Sequence, residues 1–541
     1  MGRQRNEGRR ESKLLSSDLL YLLSLSLAAV LLYTWNLEDL PLRDWDEGIV
    51  AGVARNIWRA EPHSQTWLYP TINYGDPYWN KPPLIHWSIA QAYRLFGVSE
   101  WSTRIFPAFI SACSVPLLYL IGREVFVARS TALISASVYL TLLPAVRHGR
   151  VAMLDGAIAC WFCGAVWCLL RGREDRRWLL GTGLAIGAIC LTKGIMMGVL
   201  LAGIIILFLV WDYPKLLKSP YLWSSFALGI LPAIAWYTAQ YLHYGEQFLG
   251  ISLGTQTFNR IWEPVSDVSS PFWYYLLEIA KYGLPWLIFL PYGVKLAFDN
   301  RHLSWSKLAL TWSGVYLLAV SLMATKLPWY IIPIYPGLSL LIGASLDRAW
   351  QENLAPYFWR VSLSLLSLIC WLGSIYYGSV YDSSKIDLAF ISGVVALSFT
   401  VASILLWLGS GYFVPTIIIG FYFDLLLLFN SPHWLWELNE AFPVKPVARM
   451  LQRATPPEQN IYTTYHSLRP SLEFYSDRVV IPASDEQLQQ SWQQERLYLL
   501  IDRDAINRLD LQPYQKLGGD LDRVSWLLIT QQDTAGDRVI P

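Results

Sequence analysis

Charge is scarce in this chain. Of its 541 residues, 15% are Asp, Glu, Lys or Arg and 54% are apolar, whereas a soluble domain carries about 25% charged residues. That scarcity excludes a solvated surface over most of the length. The two signs nearly cancel, at a formal net charge of +1. Bulk charge therefore points to no acidic partner, and no nucleic acid is expected. Cysteine is scarce too. All six (Cys113, Cys160, Cys163, Cys168, Cys190 and Cys370) fall within apolar runs, which argues against a disulfide framework. Cys160 and Cys163 form a CxxC beside Trp161 and Phe162. A thiol surrounded by lipid has no reason to ionise, so the pair reads as small packing residues. No metal-finger spacing, low-complexity tract or internal repeat occurs, which excludes a solenoid or a disordered polar segment.

What the chain has instead is apolar runs of about 20 residues, the length a helix needs to cross a bilayer. They recur from Leu14 to the region of Asn430. The length criterion gives about thirteen spans: 16–36, 104–122, 129–146, 152–170, 178–192, 195–211, 222–242, 274–297, 305–324, 328–346, 357–378, 387–408 and 412–430. Lys and Arg gather before the first span (Arg3, Arg5, Arg9, Arg10, Lys13). They recur at Arg123 and Arg129, at Arg171, Arg173, Arg176 and Arg177, at Lys215 and Lys218, and at Arg301 and Lys307. With this span order all of those loops share one side, which the positive-inside rule makes cytoplasmic. The loops 37–103 and 243–273 and the tail after Pro432 then lie outside. The first span follows a basic start but exceeds a signal core and has no small-x-small cleavage site, so it reads as retained.

The expected organisation is a short cytoplasmic segment, 1–15, a polytopic helical domain, 16–431, and an extracytoplasmic domain, 432–541. In the tail, short β-rich runs (Ile461–Tyr465, Val479–Pro482, Leu497–Ile501, Trp526–Thr530) alternate with helical patterns (Pro443–Leu451, Ser467–Tyr475, Glu486–Gln493). That alternation predicts a small α/β domain. The first outside loop is too long for a plain connector. Two amphipathic helices are expected in it: Glu47–Arg59, with Ile49, Val53 and Ile57 on one side, and Leu84–Phe96, with Leu84, Trp87, Ile89 and Tyr93 apolar. Trp58, Trp67, Trp79 and Trp87 would sit at headgroup depth.

The same loop holds three carboxylates within four residues, Asp44, Asp46 and Glu47, and ends on Lys81 ahead of Pro82 and Pro83. Acids at a helix start complement its dipole; they also suit a general base at the membrane face. Asp155 opens an apolar run and is costly there unless paired or working, with Arg147 and Arg150 as nearby cations. Lys81, Lys193 and Lys326 break the positive-inside pattern. Each is explained by snorkelling or by convergence on an anion such as a lipid phosphate. Tyr330, after Pro328, offers a hydroxyl donor to the same group. The loop 243–273 carries Glu246, Gln256, Asn259, Arg260, Glu263 and Asp267, a composition suited to a solvated loop, a lid or an acceptor groove.

In order and spacing these motifs resemble the GT-C glycosyltransferases of the protein-O-mannosyltransferase superfamily, and most of all the bacterial aminoarabinose transferases of lipid A. The resemblance rests on Asp46–Glu47 after the first span, on GDPYWNKPPLIHW, RHGRVAMLDGAI, LTKG and TKLPWYIIPIYPGLSLLIG, and on the tail's LEFYSDRVV and ERLYLLIDRD. It implies a polytopic GT-C fold and a polyprenyl-phosphate-sugar donor. It also implies transfer on the outer face of the cytoplasmic membrane to a lipid, glycan or protein acceptor. Asp46 matches the family's catalytic acid and Asp155 its second important acid; Lys81 and Tyr330 match residues that hold the donor phosphate. Two departures stand out. The arginine usual after the Asp-Glu pair is absent, with Gly48, Ile49 and Val50 there instead. Asn80 replaces an acid found in some relatives, which leaves a divalent metal undecided.

A glycosyl phosphate already carries a good leaving group, so one base suffices, unlike the two spaced carboxylates of a glycosidase. The expected function is inverting transfer of a sugar. Asp46 acts as base, Glu47 and Asp155 support it or orient the acceptor, and Lys81, Lys193, Lys326, Arg150 and Tyr330 hold phosphate. The alternatives are a transporter or flippase of lipid-linked sugars, and a polymerase or ligase of lipid-linked glycan. A transporter would place its polar residues at mid-bilayer, whereas these gather at one interface.

Overall fold

The computed structural model describes residues 2–61, 63–72, 75–264, 270–353, 355–379, 385–435, 444–457, 459–464, 469–494, 496–521 and 524–532. Tyr465, Ser467, Pro443 and Asp267 lie outside them. The chain divides into two compact units. One comprises residues 1–37, 79–88 and 104–434. The other comprises 38–78, 89–103 and 435–541. Most of the first loop thus groups with the tail, and the tail's boundary lies close to the composition change at Ser431.

In the first unit every expected span contains helix, but several are not the single rods that apolar length suggests. Among the described residues, seven helices are long and apolar enough to cross a membrane, or eight if one bent pair counts as a span. That pair is Arg129–Leu140 and Leu143–Arg150, which meet at 57°. The cause is Pro144 at the start of the second helix: it lacks an N–H and its ring collides with the carbonyl four residues back, at Leu140. The 274–297 run likewise splits into Tyr274–Tyr282 and Leu290–Asp299, around Gly283 and Pro285. The 328–346 run opens as a 3-10 helix, Pro328–Ile334, before the α-helix Tyr335–Glu352. Pro333 removes a donor that an α-helix would use.

Within the loop 243–273, residues 243–262 form more helix than their polar composition suggests. Helix Pro220–Tyr244 is followed by Glu246–Leu249, a π-helical stretch Gly250–Phe258 and a last turn Asn259–Trp262. Small residues fix the neighbouring helix. A Cβ at Gly183 or Gly187 of Leu179–Lys193 would collide with the carbonyls of Ser225 and Gly229 in Pro220–Tyr244. Backbones approach this closely in membranes where glycine removes the side chain. The contact anchors the helix whose last residue is Lys193.

In the second unit, the two amphipathic helices of the first loop form, as Asp46–Arg59 and Leu84–Phe96; the latter begins in the first unit. The Asp46–Arg59 helix buries Val50, Val53, Ala54 and Ile57. Ile49 turns out to be only partly buried, because the helix is rotated toward the Val50–Ala54 edge. It packs on Pro470–Ser476 of the tail. A short antiparallel pair, β1 (Thr71–Ile72) and β2 (Asp76–Pro77), follows.

The tail sheet contains β3 (Asn460–Thr463), β4 (Val479–Pro482), β5 (Tyr498–Asp502), β6 (Tyr514–Leu521) and β7 (Val524–Gln531). Their order is β4-β3-β5-β7-β6, parallel at β4-β3-β5 and antiparallel beyond. Alternate residues of β5 and β7 face two separate cores. Leu499, Ile501, Leu527 and Ile529 join Leu488 and Ile506 on one side. Leu500, Trp526 and Leu528 join Val447 and Leu451 on the other. The sheet is therefore covered on both faces. Strand β6 and the helix Arg503–Leu509 exceed the sequence expectation. The former is rich in glycine and polar residues, and the latter starts on an Asp502 side chain that accepts the Ala505 N–H at 2.7 Å, a helix cap.

Candidate functional site

The charged residues singled out in the membrane unit come together at helix ends. Lys193 is the last residue of its helix, and Gly194 follows at φ +111°, a backbone state open to glycine. Asp155 is the first residue of Asp155–Arg171. The two form a buried ion pair, with side chains 8% and 3% exposed. Asp155 thus takes Lys193 as its cation. Arg147, placed beside it by sequence, donates instead to the Trp434 carbonyl at 2.9 Å.

Tyr330 completes the cluster. The Lys193 ammonium lies 4.3 Å from the centre of its ring, in the range of a cation–π contact. Its hydroxyl accepts from Arg260 Nη1 at 2.7 Å, and Arg260 Nη2 donates to Gln256 at 2.5 Å. The Tyr330 carbonyl accepts the Tyr316 hydroxyl at 2.8 Å. The Arg260 backbone is tied as well: its carbonyl accepts the Thr325 N–H at 3.1 Å, and that of Ile261 accepts Ala324 N–H at 2.8 Å. The arginine is fixed from both ends. Sequence reasoning placed Arg260 in a solvated loop and did not assign it a role. The signal that singled out Lys81 applies to it equally: with the span order expected from sequence, it is a cation on the side where the positive-inside rule disfavours one.

Lys81 feels the same group. It keeps part of its surface open, yet burial pushes its ammonium down to about 7; the positive fields of Arg260 and Lys193 push the same way, and Asp155 opposes them. Three cations thus face one carboxylate. Such a surplus of fixed positive charge in a partly dry setting suits an anion with several acceptor oxygens. Among the described residues no group of three or more His, Cys, Asp or Glu side chains converges.

Two expected members have other partners. Lys326 donates to the Met323 carbonyl at 2.5 Å. Arg150 departs further. Its guanidinium donates to the carbonyls of Leu32, Trp35 and Asn36 and lies 4.3 Å from the Phe429 ring centre. It serves the unsatisfied carbonyls at the end of the first helix, so its environment is that of a clamp on that helix rather than of the anion cluster.

The acidic triplet belongs to the second unit. Asp44 accepts from Arg469 at 3.0 Å and from the Ser471 hydroxyl at 2.7 Å, which fixes the chain ahead of the helix. Glu47 is fully buried and accepts the Arg43 N–H at 2.9 Å. Asp46 is the helix's first residue and partly exposed.

Residues 80–237 match the family described as dolichyl-phosphate-mannose-protein mannosyltransferase. That segment includes Lys81, Asp155 and Lys193. An uncharacterized protein of Aquifex aeolicus (strain VF5) is 26% identical over 84% of this chain and 87% of its own length. An undecaprenyl phosphate-alpha-4-amino-4-deoxy-L-arabinose arabinosyl transferase of Erwinia tasmaniensis is 30% identical over 60% of this chain and 59% of its own. The match spans between 52% and 64% of the length of such transferases. ArnT of Cupriavidus metallidurans, in a crystal structure bound to undecaprenyl phosphate, superposes with a TM-score of 0.77 at 18% identity, over 95% of this chain and 98% of that one. The chain therefore has the polytopic GT-C fold. It is a multi-pass membrane protein similar in sequence to the aminoarabinosyl transferases.

Proposed function

We infer that this GT-C chain transfers a sugar from a polyprenyl-phosphate donor to an acceptor at the outer face of the cytoplasmic membrane. The observation that supports this reading best is the cation cluster: Lys193, Arg260 and Tyr330 interlocked at helix ends, with Lys81 in their field. A phosphodiester seated there would meet donors on several sides. The similarity to transferases named for an undecaprenyl-phosphate sugar, and to an ArnT structure holding undecaprenyl phosphate, agrees with it.

Asp46 removes the proton from the acceptor hydroxyl. The freed oxygen attacks the anomeric carbon from the side opposite the phosphate. The bond from that carbon to the phosphate oxygen breaks, and its electron pair leaves on polyprenyl phosphate. Lys81, Lys193, Arg260 and the Tyr330 hydroxyl offset the charge that develops there. Attack opposite the leaving group inverts the anomeric carbon. Asp155 is a positioning residue that holds Lys193. Glu47 is a positioning residue that closes the turn carrying Asp46.

The test compares the envelope glycans and lipids of a deletion strain with those of the same strain carrying Asp46→Asn. Loss of one sugar from one envelope product in both, with the polyprenyl-phosphate sugar accumulating, is the expected result. Full rescue by a correctly inserted Asp46→Asn protein would remove the assigned base.

A further inference from the structure

The second unit contains a groove of about 370 Å³ that transfer does not use. One wall is the helix Val444–Ala454; the other is the corner Val98–Glu100, with Phe474 and Tyr475 between them. The helix is divided lengthwise. Val444, Val447 and Leu451 enter the tail core. Lys445, Arg449 and Arg453 recur every fourth residue, a spacing that keeps side chains on one face. Glu100 is the acid that answers this stripe, accepting Lys445 at 2.5 Å and the Tyr475 hydroxyl at 2.9 Å. Arg449 lines the groove and is exposed; Gln452 lines it too, its amide donating to the Tyr475 carbonyl at 2.9 Å. The groove is cationic on the side of the chain where the positive-inside rule leaves basic residues uncommon.

The facing corner has the opposite character. Leu95, Phe96 and Val98 are 68%, 57% and 37% exposed. Phe96 packs edge-on against Trp101 at 5.2 Å, and an aromatic pair with open apolar neighbours is typical of the headgroup level. Glu100 begins the helix Glu100–Val125, which runs into an apolar span. Cationic donors, an apolar lip and the head of a membrane helix therefore meet at one groove.

We propose that this groove binds the phosphate of an anionic membrane lipid headgroup. Arg449 and Lys445 hold the phosphate oxygens, and the acyl chains lie along Leu95, Phe96 and Val98. A basic face on an amphipathic helix next to a membrane recognises anionic headgroups by that chemistry. The site shares no residue with the donor cluster and would keep the tail unit on the bilayer surface.

The full chain is tested in nanodiscs that mix phosphatidylglycerol with phosphatidylcholine, with retained lipid read by native mass spectrometry. The Asp155→Asn, Lys193→Met background, which strands no buried charge, keeps donor-cluster lipid from masking the groove. The expected result is selective retention of phosphatidylglycerol, reduced about tenfold by Arg449→Glu and largely kept by Arg449→Lys. Equal retention of the two lipids, or equal retention by Arg449→Glu and its parent, overturns the proposal. So does displacement of the lipid by inorganic phosphate at millimolar level, which would make the ligand a free phosphate.

Discussion

Lys193 and Asp155 form a buried ion pair between the end of one membrane helix and the start of another. The carboxylate holds the ammonium against the Tyr330 ring rather than facing solvent. Removing one partner of such a pair leaves an uncompensated buried charge, at a cost of about 3–5 kcal/mol. Asp155→Ala should therefore lower the thermal stability of the detergent-solubilised protein strongly. The double variant Asp155→Asn, Lys193→Met should recover most of that loss, because no charge is stranded. It should not recover donor affinity, because the ammonium is gone. A double-mutant cycle that reads melting and donor binding in parallel separates the two roles. If the double variant binds donor as tightly as the parent, Lys193 does not contact the phosphate.

The lowered Lys81 ammonium makes donor binding pH-dependent, and the sign follows from linkage. In the unliganded protein burial favours the neutral amine, at about 7 against an ordinary 10.5. This lysine therefore costs the fold nothing above the ordinary value. The cost grows as pH falls toward 7 and is constant below it. A bound phosphate reverses the preference and draws a proton onto Lys81. Affinity should be flat below pH 7 and fall by up to about tenfold per unit above it. A phosphodiester analogue of the donor keeps one charge across this window, so calorimetric titration against it isolates the lysine. Lys81→Arg, which stays charged, should flatten the profile. A slope that survives this substitution would assign the titration to another group.

Much of this was legible in the chain. Apolar length located the membrane helices. Of the three lysines singled out for breaking the expected charge asymmetry, Lys81 and Lys193 share the cluster with Tyr330, whereas Lys326 donates to the Met323 carbonyl. What escaped the sequence depends on three-dimensional pairing. The bend at Pro144 and the break around Pro285 are local proline effects that apolar content conceals. Arg150 lies five residues from Asp155 in the chain, yet its donors go to carbonyls at the end of the first helix, which no local pattern reports. Arg260 was hidden by its polar surroundings. Its role emerges only because the turn Asn259–Trp262 is stitched to residues 324 and 325, far along the chain.

Gly48 and Gly52 look alike in sequence, one turn apart on the helix that opens with Asp46. Their surroundings differ, and so should their tolerance. A Cβ at Gly48 would stand 2.6 Å from the Ser471 backbone nitrogen and 3.0 Å from the Pro470 carbonyl carbon. Backbone atoms cannot swing aside, so the helix would have to lift from Pro470–Ser476. At Gly52 a Cβ meets nothing within 4 Å, and alanine should gain helix propensity, up to about 1 kcal/mol. Gly48→Ala should cost about 1–3 kcal/mol from overpacking, less that same gain. Amide hydrogen exchange of the helix in the full chain reads both effects: faster in Gly48→Ala, equal or slower in Gly52→Ala. A large cation at 48 would part the helix that carries Asp46 from its support in the tail. Turnover should then fall in Gly48→Arg and stay near the parent value in Gly52→Ala. Normal exchange in Gly48→Arg would mean that the two helices separate without cost and that the glycine is retained for another reason.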